Sequence, residues 1–244
     1  MKLNRKWLNE DFVDLSNVSD KEFVETLTVF GQKVETWERM DADIKNVVVG
    51  KVLSMVRHPN SDHMFICQVD VGQEEPVQIV TGAQNVHEGD LVPAALHNSW
   101  LPGGVHITKG KLRGEVSNGM LCSFAELGLT QNDLPGVFAD GIWILEPDAG
   151  KPGDDINPII GNDDTVVDFE ITNNRPDCYS LIGLARETAA AFNVPMKHHE
   201  PVVKGSAEGV LTDLLDVEVP ADDLCLRYTA RMVRNVKIAP SPKW

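Results

Sequence analysis

The sequence predicts an α+β fold in which a small β-barrel sits between two stretches of a helix-and-strand frame. Three observations predict it. Residues 19–31 carry a helix with its own start and stop signals. From Val47 the apolar period changes to short β-rich runs separated by glycine turns. After Lys151-Pro152-Gly153 a strand-and-helix pattern returns. The 244 residues fit two domains and a piece of a third, at roughly 100–200 residues per domain.

Ser19-Asp20-Lys21-Glu22 reads as a capping box, with Ser at the N-cap and Glu at N3. Phe23, Leu27 and Phe30 follow on one helical face, and Gly31 closes the helix. Trp7, Leu8, Phe12 and Val13 suggest a shorter helix before it, and Val34 to Trp37 an extended run after it. This piece, residues 1 to about 40, is too short to hold a core alone.

The barrel runs come next: 47–56, 65–71, 77–80, 91–96, 105–107 and 141–145. Val71-Gly72, Glu88-Gly89-Asp90 and Pro102-Gly103-Gly104 mark turns between them. About five short strands with polar loops in about 100 residues favour a small closed barrel of the OB type.

Val166 to Ile171 then reads as a strand, 173–177 as a turn, and Ser180 to Phe192 as a helix. Leu181, Leu184, Ala185, Thr188 and Phe192 lie on or near one face of that helix. These elements are expected to pack on the N-terminal helices. The division is therefore 1–40 with 150–197 as a discontinuous frame, and 41–149 as the inserted barrel. Residues 198–212 read as a linker, with His198-His199-Glu200 in solvent. Residues 216–219 and 226–238 read as strands, the truncated start of a third domain at 213–244.

The formal net charge is −15. A surface that binds nucleic acid everywhere is basic, because phosphate neutralisation supplies most of the affinity. Within 40–148, six Lys and Arg face fourteen Asp and Glu, a balance of −8. Nucleic-acid contact is therefore expected to be local, weak in the chain alone and stronger in an assembly. Cys67, Cys122, Cys178 and Cys225 are far apart in sequence, without zinc-ligand spacing. Buried thiols in a reducing compartment are expected. Met1 to Trp7 has no apolar region behind it, so no signal peptide is expected. With no run of about 18 apolar residues, neither is a membrane span, and the expected location is the cytoplasm.

Phosphate-binding glycine loops and the Gly-x-Ser-x-Gly elbow do not occur. His58 and His63 flank Asp62 but lack helical metal-pair spacing and a third ligand, so no metal site is assigned. The 58–63 segment reads as a loop in which Asn60 and Asp62 bond their own backbone. Lys109, Lys111 and Arg113 alternate, as on one face of a short strand. Lys51 and Arg57 lie on another strand and its end. Together they are candidates for a local phosphate-contacting patch.

Four segments carry a resemblance: His58-Pro59-Asn60-Ser61-Asp62, Gly82-Ala83-x-Asn85, Leu101-Pro102-Gly103, and Arg113-Gly114-x-x-Ser117-x-Gly119-Met120-Leu121-Cys122-Ser123. They are similar to the EMAP-type tRNA-binding OB domain. The flanks carry Trp7-Leu8, Ile171 to Cys178, and Gly183-x-Ala185-Arg186-Glu187. With them the whole chain resembles the N-terminal portion of the bacterial phenylalanine–tRNA ligase beta-subunit family. Arg227-Tyr228 and 240–244 resemble the start of that family's editing domain.

The resemblance implies a tRNA-binding and scaffold region. It adds Asn60, Asn85, Ser117, Met120 and Ser123 to Lys51, Arg57, Lys109, Lys111 and Arg113 as candidate tRNA contacts. It implies a parent enzyme that uses ATP and Mg2+, works as an α2β2 tetramer with an alpha subunit, and keeps its catalytic groups elsewhere. No catalytic residue is assigned here. The family usually has basic residues where His63 and Phe65 stand, and often Lys at Gln68, so phosphate contact from that strand is expected to be weak. Two other readings are an assembly module with little RNA contact and a free-standing EMAP-like tRNA-binding dimer.

Overall fold

The computed structural model describes residues 1–134, 137, 140–198, 200, 202 and 209–239. The chain divides into two units, 1–199 and 200–244.

In the first unit, β1 (Lys2–Asn4), β2 (Val34–Arg39) and β11 (Thr165–Phe169) form an antiparallel sheet in the order β1-β11-β2. Helices α1 (Arg5–Asp11), α2 (Asp20–Val29) and α4 (Leu181–Phe192) pack with it. Leu3, Leu8, Phe23, Leu27, Val167, Phe169 and Leu184 share one core, drawn from both ends of this unit. Phe23 on α2 stacks on Phe192 of α4, with ring centroids 6.1 Å apart.

The local signals explain the helix ends. Ser19 Oγ accepts from the Glu22 backbone N–H at 3.2 Å, and Gly31 follows the helix at φ 102°. Phe30 departs from the expected buried face and is 61% exposed. It is the C-cap of α2, where the chain has left the helical path. Ser180 Oγ likewise accepts from Gly183 N at the start of α4. Arg5 is buried, and its guanidinium bonds the Asp20 carboxylate and the Val18 carbonyl. Thr165 Oγ1 donates to the same Asp20 at 2.8 Å. The buried cation is thus paired and hydrogen-bonded, as a desolvated charge requires.

The six-stranded sheet uses β3 (Lys45–Arg57), β4 (Phe65–Asp70), β5 (Val77–Thr81), β6 (Leu91–Leu101), β7 (Val105–Ile107) and β10 (Gly119–Leu121). Its order is β10-β6-β3-β4-β5, with β7 also on β6. Strands β8 (Gly110–Leu112) and β9 (Glu115–Ser117) make a separate hairpin. The sheet is antiparallel and curls, so that its edges β10 and β5 approach. There Asn118 N donates to Gln78 O at 2.9 Å, and Val80 N to Ser117 Oγ at 3.0 Å. Val52, Cys67, Val69, Ile79 and Val92 fill one side of the barrel core, and Val47, Val49, Phe124 and Trp143 another.

Three expectations change. Residues 141–145 are not a strand. The Asn85 side chain occupies both backbone groups of Ile142, accepting from its N–H at 3.1 Å and donating to its carbonyl at 2.8 Å. A ladder cannot form on bonds already used, and Trp143 and Leu145 bond singly to Cys122 and Leu91. Next, the barrel's packing extends past residue 149. Helix α3 (Ile156–Ile160) places Ile156 in the barrel core, and Val49 exchanges backbone bonds with Gly153 and Asp154. Finally, the second unit has no strands among its described residues. Leu226 is 90% exposed, and no other described segment pairs with 216–219 or 226–238, so their backbone groups have no ladder to join. His199 and 240–244 lie outside the described residues.

Three of the four thiols follow the expectation of burial, while Cys225 is only partly buried. Cys67, Cys122 and Cys178 are buried. Burial pushes the Cys67 thiol up to about 11 and, aided by the charge of Glu126, the Cys122 thiol up to about 12. Both are therefore protonated and unreactive near neutrality.

Two outcomes are expected. An alanine Cβ at Gly183 would lie 1.9 Å from the Asp177 carbonyl. Gly183→Ala should therefore lower the unfolding free energy, although helix propensity alone predicts a gain of about 1 kcal/mol. Urea unfolding decides, and stabilisation would contradict the packing. Hydrogen bonds from Arg175 hold Asp177 down at about 2 and keep Glu187 below the usual carboxylate range. Folded values below the unfolded ones mean stability that is present above about pH 4 and is lost as pH falls toward 2. Arg175→Leu should flatten that acid limb in a pH series of thermal melts.

Candidate nucleic-acid interface

One rim of the barrel is built from the 58–63 loop and the β8–β9 hairpin. Arg113 and Gly114 form the two-residue hairpin turn, both at positive φ, 49° and 103°. A tight turn of this twist requires positive φ at both positions, which glycine adopts freely and arginine does not. Arg113 therefore sits at the hairpin tip and not on a strand. Lys111 alone of the expected cationic stripe lies within β8, while Lys109 precedes it.

His58 joins the loop to this hairpin. The ring is 3% exposed. Nδ1 accepts from Asn60 N at 3.0 Å, and Nε2 lies 3.0 Å from Leu112 O. An accepting Nδ1 leaves the proton on Nε2, so Nε2 donates to that carbonyl. Asn60 Nδ2 donates to Arg113 O, and Arg113 Nη1 to Asn60 O, each at 3.4 Å. Arg57 lies 5.6 Å over the Phe65 ring and donates to Asp62 O at 3.3 Å. The loop is thus ordered by the His58 ring and by Ser61, which accepts from His63 N at 3.4 Å. The expected Asn60 and Asp62 self-bonding is replaced by contacts that cross to the hairpin or run through the Asp62 carbonyl.

Arg57, Asn60, Lys111 and Arg113 are exposed and share this rim. Asp62 and Glu115 lie among them and dilute the positive charge. Lys51 is exposed but lies roughly 20 Å from Arg57 along β3, at about 3.3 Å per residue. Lys109 is exposed, with its backbone N–H on His97 Nδ1 at 3.1 Å.

The other candidates make contacts within the barrel domain. Ser117 is buried, with its hydroxyl between Val80 N and Gly119 O. Asn85 clamps Ile142. Met120 is partly buried against the barrel core. Ser123 and Glu126 cap each other at a helical turn, Ser123 N donating to Glu126 Oε2 at 2.6 Å. His58 is the residue that sequence reasoning undervalued. The segment read as a loop ordered by Asn60 and Asp62, and no local signal marks a histidine whose partner is a carbonyl on a distant hairpin.

An expected outcome follows from this geometry. His58→Ala removes the ring's bonds to the Asn60 N–H and the Leu112 carbonyl, a loss of about 1–3 kcal/mol. Amide exchange at Asn60 should accelerate by about tenfold or more. Unchanged exchange would mean that the ring does not hold the loop.

Residues 47–140 match the family described as "Putative tRNA binding domain". Over 245 aligned residues the chain is 49% identical to the phenylalanine–tRNA ligase beta subunit of Clostridium acetobutylicum, and over 248 it is 46% identical to that of Clostridium tetani. Each match takes in 100% of this chain and 30% of the relative. The chain thus spans about 30% of the length of the curated relatives it matches. Among solved structures, the C-terminal domain of Plasmodium vivax p43 is 22% identical, covering 46% of this chain and 59% of that one at a TM-score of 0.33.

Proposed function

Taking the chain as a member of the phenylalanine–tRNA ligase beta-subunit family, we propose that its barrel is a tRNA-docking module of the assembled synthetase. The observation that carries this is the rim where His58 brings Arg57, Asn60, Lys111 and Arg113 together. Cations and an amide on rigid turns position a phosphate backbone without reading sequence. With a barrel balance of −8, such a contact is weak in the chain alone and gains strength from other parts of the assembly. Residues 1–40 and 150–197 supply the frame, with the barrel inserted between them; the packing of β11 and α4 on the N-terminal helices supports this. Residues 213–244 are assigned to an editing domain by resemblance alone.

The parent enzyme joins phenylalanine to its tRNA with ATP and Mg2+, as an α2β2 tetramer with its alpha subunit in the cytoplasm. Among the described residues no group of three or more His, Cys, Asp or Glu side chains is placed to hold a metal ion. By resemblance the groups that use Mg2+ and ATP lie elsewhere in the parent enzyme, and no step through either is assigned to this chain. No helix of the described residues is long and apolar enough to cross a membrane.

Charge reversal at Lys111 and Arg113 in the assembled synthetase should weaken tRNA binding and lower the salt slope by about one for each phosphate no longer neutralised. A salt-titrated binding assay measures both. If neither changes, this rim does not touch the tRNA. The acidic balance favours one competing reading, an assembly module. On that reading, removing 41–149 impairs tetramer formation and leaves the tRNA affinity of surviving tetramers unchanged.

A further inference from the structure

Trp100 and His106 stack on the outside of the barrel, with ring centroids 4.3 Å apart and planes at 12°. They are cross-strand partners on β6 and β7, and Lys45 on β3 is the partner of Trp100 on its other side. Register partners present their side chains on one face, so a single row reads Lys45, Trp100, His106. All three are exposed, Trp100 by 43%.

The backbone under this row is held at several points. Asn46 and Asn98 are both at positive φ, 58° and 67°. Asn46 Nδ2 donates to His97 O at 2.9 Å, and Ser99 Oγ to Asn46 O at 2.5 Å. The platform is therefore set before any ligand arrives, which limits the ordering cost of binding.

We propose that Trp100 and His106 form a stacking platform for an unpaired RNA base, with Lys45 beside the adjoining phosphate. This rests on the reading of the barrel as a tRNA-docking module. The charge balance is the reason to look for it. A barrel at −8 gains little from phosphate neutralisation, so RNA affinity has to draw on contacts that salt does not screen. Stacking on an aromatic face is such a contact, and it accepts any base. An aromatic pair that served the sheet alone would have no need of an open face with Lys45 beside it.

The test uses the 244-residue chain and a fluorescein-labelled single-stranded RNA of about ten nucleotides. Anisotropy is titrated at several salt concentrations, and a 4-thiouridine version of the RNA is photocrosslinked and its site mapped by mass spectrometry. Trp100→Ala should weaken binding about tenfold and leave the salt slope unchanged, and Trp100→Phe should recover most of the affinity. Arg113→Glu should instead lower the slope. Crosslinks should fall on the peptide that holds Trp100 and His106. If RNA binds while Trp100→Ala and His106→Ala have no effect and crosslinks map elsewhere, the platform is wrong and the docking reading stands. If the chain binds no RNA at low salt while Trp100→Ala impairs assembly of the synthetase, the row is a protein contact and both readings fall.

Discussion

The pairing of β11 between β1 and β2 is the constraint on which the rest depends. Strands β1 and β2 do not pair with each other, so the N-terminal helices have no continuous sheet to lie on until residues 165–169 arrive. Thr165 is the register partner of Arg39, and Met40 N bonds Asp164 O at 3.0 Å. The chain therefore leaves this sheet and returns to it at one point. Everything between those residues must bury its own apolar surface and present its two ends side by side. A curled antiparallel sheet does this, because successive hairpins bring the chain back to where it began. Asp164 ties the junction further, accepting from Lys6 N and from Asn4 Nδ2 at the start of α1.

Contacts of such sequence separation form late, since loop closure precedes any gain from pairing. The structure offsets this with local signals that act early. Ser19 and Ser180 start their helices, Gly31 ends one, and the Arg113-Gly114 turn sets the hairpin. The buried Arg5 then links elements that local signals cannot order, bonding Asp20, which also takes Thr165. At the rim, His58 does the same on a smaller scale by tying a loop to a hairpin across the barrel end.

Much of the fold was legible because it rests on short-range patterns. The runs at 47–56, 65–71, 77–80 and 91–96 became strands, and both main helices began at the expected serines. The failures have one cause. Residues 141–145 read as a strand because they are apolar and β-branched, but Asn85 took their hydrogen bonds. Residues 226–238 read as strands for the same reason, and no described strand is there to pair with them. Propensity describes the residue, whereas a ladder requires a neighbour. The site shows the same limit. Lys111 and Arg113 were legible as candidate phosphate-contacting cations, but the alternation that placed them on one strand failed at the positive φ of Arg113.

The sequence by itself determined the helix caps, the strand runs, the glycine turns, the acidic balance and the motif series that carries the family resemblance. Each depends on residues within a few positions of one another, or on composition. Only the tertiary structure decided which candidates face solvent and which hold the scaffold. Ser117, Asn85 and Ser123 are polar residues in functional-looking loops, yet each commits its hydrogen bonds to the barrel. Trp100, His106 and Lys45 show no pattern in the sequence and become one row because three strands align them. A side chain's role follows from what lies across the sheet from it, and strand register sets that across distances the local sequence does not encode.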